Sequence, residues 1–275
     1  MTDIFIHIRK TGGTTLNTTL RWVYGPSVCY HIPVGRAESP DRWFEEVSSG
    51  KLSGYNLITG HAVYGTHKQI PEACRYFTML RHPVRRVVSM YYYIKSGWPD
   101  SEAASNSLVE FLHSDHRAAK ANDQVRFLSG IDPDNSPRRA LHRAKHHLRE
   151  KFSVFGLTEH FDESLLLFQK QLGWSRPPVY ISSNVNRTRP AVEDHPASVI
   201  EAVRAENELD LKLYDAAKET FEEVLGGYPD LDRDLARYER MNEVADLVGP
   251  PLLWGYRQSR KLLASSPEKT RDVFL

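Results

Sequence analysis

The sequence predicts a three-layer α/β fold in which a central parallel sheet is flanked by helices. Short apolar runs, typical of buried parallel strands, alternate with longer stretches of helical periodicity. The composition, with 40% hydrophobic and 26% charged residues, is that of a globular chain with a sizeable core. The predicted strands are Ile4–Ile8, Asn56–Thr59, Tyr76–Leu80 and Ser153–Leu157.

Helical patterns fill most of the chain between and after these strands. The prolines Pro83 and Pro137 suit the first turn of a helix, where no backbone N–H is needed. The segment 173–196 is rich in Pro, Ser and Asn and predicts a long loop. We interpret 1–248 as one domain and 249–275 as a C-terminal extension without an assigned role. The predicted helices are Thr14–Tyr24, Pro83–Lys95, Leu108–Leu112, Ala118–Leu128, Pro137–Lys151, Glu163–Leu172, Ala197–Leu225 (whose continuity is left open) and Leu231–Leu247.

A glycine turn after the first strand has the make-up of a phosphate site. Gly12 and Gly13 let the backbone approach an anion closely, and the N–H groups of the following helical turn point at it. Lys10 precedes the glycines, whereas a Walker A loop has its lysine after them, so the charge enters from the strand side. An ordinary capped strand-to-helix turn is the alternative. The segment reads Lys10-Thr11-Gly12-Gly13-Thr14-Thr15, and its threonines add hydroxyl donors.

A second candidate phosphate site follows the third predicted strand. Arg81 lies at the carboxyl end of that strand, the edge at which open α/β sheets bind ligands. Ser89 comes about two helical turns later. A guanidinium fork and a hydroxyl can together hold a phosphate. Three tyrosines, Tyr91, Tyr92 and Tyr93, follow; they could stack on a sugar or base, although packing is favoured for at least one of them.

These two motifs, K-T-G-G-T-T and L-R-H-P-V-x-R-x-x-S-x-Y-Y-Y, resemble those of the PAPS-dependent sulfotransferases. The similarity is greatest to the carbohydrate branch with the heparan sulfate 2-O- and 6-O-enzymes and their bacterial relatives, and covers roughly residues 1 to 225. It implies a P-loop-like fold and transfer of a sulfuryl group from PAPS to a hydroxyl of a carbohydrate or other small acceptor, with release of PAP and without a metal. Weaker similarities to the family are found at Gly60-His61 and in the segments 122–128, 155–159 and 207–214.

The resemblance also implies roles for individual residues. The first motif, from Lys10 to Thr15, would hold the 5′-phosphosulfate, while Arg81 and Ser89 would hold the 3′-phosphate. The family has a nucleotide-covering loop near Arg187 and Thr188, which makes these two further cofactor candidates; a solvated surface connection is the alternative. Arg9 departs from the family, whose members usually carry proline there, but Lys10 and the glycines remain in place.

A general base is the remaining chemical requirement, because the acceptor hydroxyl must lose a proton. His61 is our candidate: it follows a predicted strand on the edge where Lys10 and Arg81 emerge, and relatives place a catalytic histidine after this strand. His67 and His7 are the rivals, and we expect His7 to be packed within the first strand. Lys10 would stabilise the charge that develops on the sulfonate and the leaving phosphate.

Composition limits the partners and the compartment. A formal net charge of +1 gives no general attraction to nucleic acid, and no run of about 18 apolar residues predicts a membrane span. The animal relatives are tethered Golgi enzymes, so the missing tether favours a bacterial, cytoplasmic enzyme. Two cysteines, Cys29 and Cys74, predict reduced thiols rather than a disulfide framework or a metal site.

Two other functions remain open at this level. A P-loop-type kinase or NTPase acting on a small molecule shares the plan of strand, glycine turn and helix, but would need carboxylates for magnesium. A nucleotide- or glycan-binding protein without activity is the other. The basic segment 138–151 predicts an amphipathic helix with a solvated face, or else a groove for an anionic acceptor.

Overall fold

A computed structural model describes residues 1–25, 29–32, 54–99, 102–114, 119–180 and 190–264. These residues contain a five-stranded sheet in which all neighbouring strands run parallel. The prediction of a central parallel sheet flanked by helices is therefore confirmed. The strands are β1 (Thr2–Ile6), β2 (Cys29–Ile32), β3 (Leu57–Gly60), β4 (Cys74–Leu80) and β5 (Phe152–Leu157), in the spatial order β2-β3-β1-β4-β5.

Strand β1 lies at the centre of the sheet and is buried along its whole length. A strand covered on both faces is typically apolar at successive positions, which is why Ile4-Phe5-Ile6 does not alternate with polar residues. Ile6 stands opposite Gly60 of β3 and Thr78 of β4. The carboxyl ends of these three strands therefore meet at one edge of the sheet.

Helices, together with the turns and loops that connect them, make up the rest of the described chain. Helix α1 begins at Gly13, one residue before the predicted start at Thr14, and α2 begins at Pro83, as the sequence predicts. The helices are α1 (Gly13–Tyr24), α2 (Pro83–Gly97), α3 (Glu102–Ser105), α4 (Leu108–Leu112), α5 (Asp123–Ser129), α6 (Pro137–Glu150), α7 (Phe161–Leu172), α8 (Ala197–Glu206), α9 (Glu208–Gly226) and α10 (Leu231–Ala264).

The structure corrects several predicted boundaries. The first strand ends at Ile6 rather than Ile8, and strand β2 was not predicted at all. Helix α5 begins at Asp123 instead of residue 118, because Asn122 has a positive φ of 53° and its side-chain Oδ1 accepts the Leu209 and Asp210 N–H groups, both at 3.0 Å. The open question about 197–225 is resolved by a break at Asn207. Helix α10 continues through residue 248, so the boundary at 248/249 stays a prediction.

Two apolar clusters form the core. The larger one surrounds the sheet, whereas the smaller one joins α2 to α4 and α8 through residues such as Val87, Phe111 and Val203. Helix α2 is thus anchored by other helices through one face. None of the helices in the described ranges has both the length and the apolar character needed to cross a membrane.

Candidate active site

The predicted site residues gather at the carboxyl edge of the sheet. Lys10 follows β1, His61 follows β3, and Arg81 follows β4, and these are three neighbouring strands. Two side chains bond to the backbone that follows β1: the Arg81 guanidinium Nη1 donates to the Lys10 carbonyl at 3.0 Å, and the His61 ring Nδ1 donates to the His7 carbonyl at 2.7 Å. The side chains of Lys10, Arg81 and His61 thus emerge at the same edge of the sheet, where hydrogen bonds join Arg81 and His61 to the segment after β1.

The glycine loop has a backbone shape suited to an anion. Lys10 and Gly12 both adopt positive φ angles, 66° and 80°, and Gly12 precedes α1 without a side-chain cap on the helix. The first N–H groups of a helix have no intrahelical partner, so an anion can accept from the amides of Gly13, Thr14 and Thr15. The left-handed conformation of a lysine costs about 1 kcal/mol or more. Such strain, held in place by the surrounding structure, is typical of a functional loop.

Thr11 has an internal role in this loop. Its side chain is fully buried, and its hydroxyl donates to the Ile8 carbonyl at 2.8 Å. Thr11 therefore closes the turn, and the group with which it can meet a nucleotide is its backbone amide. Thr14 is exposed and Thr15 half-buried in the first turn of α1, where hydroxyls can face a ligand.

His7 lies at the site rather than inside the first strand, so the expectation that it is packed within that strand is wrong. It follows the end of β1 and is half-buried. A Cβ added to Gly13 would lie 1.6 Å from His7 Nε2, so only glycine leaves room for this ring. Thr59 donates to Asn17 Oδ1 at 2.8 Å, and the Asn17 amide is 3.4 Å from His7 Nδ1. With its Oδ1 occupied by Thr59, Asn17 presents its NH2 group to His7, so His7 Nδ1 is the acceptor of this bond. His7 Nε2 then faces the glycine loop at Gly13.

His61 has its tautomer set by a backbone contact. A carbonyl oxygen can only accept, so the 2.7 Å bond to the His7 carbonyl requires the proton on His61 Nδ1. In the neutral ring Nε2 then carries the lone pair that can take a proton. The ring stacks on His7, with ring centroids 4.6 Å apart. It also lies nearly perpendicular to the Phe127 ring, with centroids 6.4 Å apart. These contacts restrain the orientation of the imidazole ring.

His67, a rival base, belongs to a different environment. Its Nδ1 lies 2.9 Å from the Tyr76 hydroxyl, and its ring packs against Tyr64 with centroids 5.5 Å apart. Tyr76 stands opposite Ile4, in the half of the sheet away from the carboxyl edge. Burial lowers the pKa of His67. The geometry therefore favours His61 over His67.

Arg81 is held from both sides of its backbone. Gln124 accepts the Arg81 N–H at 3.0 Å and donates to the Arg81 carbonyl at 2.9 Å. The side chain, half-buried, reaches the loop through its bond to the Lys10 carbonyl. This pair of amide bonds fixes where the guanidinium leaves the strand. Gln124 is therefore a positioning residue. In the sequence it is indicated only by the segment 122–128, which is weakly similar to the family.

Ser89 reaches the same region through its helix. Its side chain is nearly buried, with 5% exposure, and Tyr93 lies one turn further along the same face of α2. The Lys10 ammonium lies 4.0 Å from the centre of the Tyr93 ring. Because Tyr93 touches Lys10, the face of α2 that carries Ser89 is turned toward the glycine loop.

A buried network of charges supports the loop from behind. Asp123 lies 3.5 Å from Arg9 and 3.6 Å from Arg86, and Arg86 lies 3.8 Å from Asp210. Arg86 is only 1% exposed. Burial raises the pKa of Asp210 to about 6, against the opposing effect of the Arg86 charge. Removing one member would strand a buried charge, which is strongly destabilising. Arg9, the residue that departs from the family pattern, therefore ties the loop to helix α5.

Arg187 and Thr188 fall outside the described residues and stay predictions. Helix α6 buries Ala140, Ala144 and Leu148 and exposes Arg138, Arg139 and Lys145, as an amphipathic helix should. Its role in acceptor binding stays a hypothesis. Among the described residues no group of three or more His, Cys, Asp and Glu side chains is arranged to hold a metal ion.

A strand, an uncapped glycine turn, a helix and two cations together form an edge suited to an anion in a protein of the α/β class. The galactose-3-O-sulfotransferase family model matches residues 4–242, and the chain belongs to this family. The sulfotransferase resemblance is thereby confirmed. The family that matches is named for galactose, whereas the sequence motifs favoured the heparan sulfate branch.

Relatives of both kinds are found. The chain is 26% identical over 242 residues to bovine (Bos taurus) galactose-3-O-sulfotransferase 3, covering 80% of this chain and 57% of that protein. It is also 26% identical to zebrafish (Danio rerio) heparan-sulfate 6-O-sulfotransferase 1-B, covering 80% and 66%, and to mouse (Mus musculus) galactosylceramide sulfotransferase, covering 77% and 54%. The chain thus spans little more than half the length of the galactose-specific relatives.

Solved sulfotransferase structures are also similar. The structure of mouse sulfotransferase SULT7A1 complexed with PAP matches with a TM-score of 0.40 at 17% identity, covering 74% of this chain and 62% of that one. A sulfotransferase from Alicyclobacillus acidocaldarius matches with a TM-score of 0.39 at 15% identity, covering 77% and 96%.

Proposed function

We propose that this protein transfers the sulfuryl group of PAPS to a hydroxyl group of a carbohydrate acceptor and releases PAP. The observation that carries the proposal is the convergence at one sheet edge of the glycine loop, Arg81 and His61, with Arg81 bonded to the loop at the Lys10 carbonyl. Membership of a sulfotransferase family supports this reaction. The names of the relatives, which specify galactose, heparan sulfate and galactosylceramide, support a sugar hydroxyl as acceptor.

Each residue then has a defined task. His61 Nε2 takes the acceptor proton while the acceptor oxygen bonds to sulfur. The bond from sulfur to the 5′-phosphate oxygen breaks, and the electron pair remains on that phosphate. Lys10 and the first amides of α1 stabilise the resulting charge. Arg81 and Ser89 hold the 3′-phosphate, which distinguishes PAPS from nucleotides that lack it.

The 3′-phosphate assignment predicts a difference between two nucleotides. Arg81→Ala is expected to weaken PAP binding about ten- to a hundredfold, because a charge-assisted contact contributes about 1.5–3 kcal/mol. AMP, which has no 3′-phosphate, should lose far less. Isothermal titration calorimetry with both ligands measures this. Ser89→Ala, which leaves the Arg81–Lys10 contact in place, should discriminate in the same direction with a smaller loss. Equal losses for PAP and AMP in both variants would contradict the assignment.

The kinase alternative makes the opposite prediction about metals. The basic pair Arg81-His82 follows β4, where a nucleotide kinase would be expected to place a carboxylate for magnesium. Sulfuryl transfer should therefore persist in EDTA, with no magnesium-dependent ATPase activity. Activity abolished by EDTA and restored by magnesium would instead favour phosphoryl transfer.

The other alternative is a nucleotide- or glycan-binding protein without activity. PAP binding without transfer to any acceptor would favour it. The cytoplasmic location stays a prediction.

A further inference from the structure

Two aromatic side chains near the end of α2 stand exposed beside the glycine loop. Tyr93 is 49% and Trp98 41% exposed, and their rings meet edge to face with centroids 5.4 Å apart. The neighbouring tyrosines behave differently: Tyr91 is buried and donates to the Asn106 carbonyl, and Tyr92 is half-buried beside His195. The structure thus separates one outward tyrosine from two that pack.

Position links this aromatic pair to the chemistry. The Lys10 ammonium is 4.0 Å from the Tyr93 ring centre. Lys10 is the residue we propose to stabilise the transferring group. The Tyr93 ring is therefore in contact with a side chain of the proposed catalytic site. Trp98 extends the aromatic surface from Tyr93 outward to solvent. Both exposed rings are therefore available to a molecule that binds beside Lys10.

Helix packing keeps the two rings in place. The opposite face of α2 is anchored in the smaller apolar cluster through Val84, Val87 and Ile94. The Trp98 backbone N–H also donates to the Ile94 carbonyl at 2.9 Å, which ends the helix. The aromatic pair is therefore presented by an anchored element rather than by a loose loop. Aromatic rings give a large contact area at little cost in conformational entropy.

We propose that Tyr93 and Trp98, whose rings meet at an interplanar angle of 76°, form a corner against which a hexopyranose ring of the acceptor packs, with the sugar stacked on the face of one ring; we call this corner the platform. This inference rests on the proposed function. The C–H bonds on one face of a pyranose carry partial positive charge, and an aromatic ring has a negative face that attracts them. The same face attracts cations, as the Lys10–Tyr93 contact demonstrates. Stacking here would hold the sugar beside the Lys10 side chain.

The test separates acceptor binding from nucleotide binding. Trp98→Ala should raise the KM for a methyl hexopyranoside about three- to tenfold, the range expected for losing one aromatic contact. The Kd for PAP should not change. Tyr93→Phe should keep near-normal KM, since the platform uses the ring and not the hydroxyl, whereas Tyr93→Ala should raise it. Saturation-transfer NMR with PAP and the methyl glycoside measures acceptor binding without turnover, and should show a weaker signal in Trp98→Ala.

Trp22→Ala is the matched control. Trp22 is also an exposed tryptophan, at 50%, with Arg176 over its ring, but it lies near the end of α1 away from the glycine loop. Its loss should leave the acceptor KM unchanged. If wild-type protein transfers sulfate to glycosides and Trp98→Ala has an unchanged KM, or instead loses PAP affinity, the platform is wrong while the proposed function stands. If wild-type protein binds PAP but neither binds nor sulfates any glycoside, both fail.

Discussion

His61→Ala is expected to lower kcat by about 10²–10⁴, the range for losing a general base. The affinity for PAP should barely change, because the His61 ring is held by the His7 carbonyl and by stacking on His7, and we assign its Nε2 to the acceptor. Single-turnover sulfation with radiolabelled PAPS measures the chemical step, and calorimetry with PAP measures binding. A variant that loses both to the same degree would show a role in nucleotide binding instead.

The pH profile gives an independent readout of the same assignment. In wild-type protein kcat should rise with pH as an imidazole becomes neutral, and this limb should vanish in His61→Ala. His67→Ala is the matched control, since His67 bonds the Tyr76 hydroxyl in the aromatic cluster with Tyr64. It should keep both the rate and the limb. Near-normal turnover in His61→Ala together with a large loss in His67→Ala would reverse the assignment.

Lys10→Ala is expected to reduce both nucleotide affinity and kcat. Its ammonium would contact charge that is present in bound PAPS and that increases on the leaving phosphate in the transition state. We expect the Kd for PAP to rise about tenfold or more and kcat to fall about 10²–10³-fold. Calorimetry and steady-state kinetics separate the two effects.

Lys95→Ala controls for the lost positive charge. Lys95 is exposed on α2, where its ammonium donates to the Tyr91 hydroxyl at 3.1 Å. Removing it changes the net charge equally but leaves the glycine loop untouched, so binding and rate should stay near those of the wild type. If the two variants had equal effects, the role of Lys10 would be general electrostatics rather than a specific contact.

Much of the fold could be predicted because its strands and helices carry strong local signals. Apolar runs at Ile4–Ile6 and Tyr76–Leu80 predict buried strands, and Pro83 starts α2 as expected. Strand β2 lacked such a signal: it has four residues, Cys29–Ile32, two of them Tyr and His, and it pairs with β3 at the edge of the sheet. Its strand conformation depends on that pairing, which local sequence does not specify.

The parallel α/β plan, the glycine loop with Lys10, and the positions of His61 and Arg81 after strands could all be predicted from the amino-acid sequence. These follow from backbone freedom, helix termini and strand periodicity, all of which act over a few residues.

The contacts that hold these groups in position could be seen only in the folded structure. It placed His7 against Gly13, paired Arg9 with Asp123, and turned Tyr93 outward beside Lys10. The physical reason is that each contact joins segments brought together by packing of the whole sheet and its helices. Contacts of this kind depend on side-chain positions in three dimensions and leave no periodic pattern in the sequence.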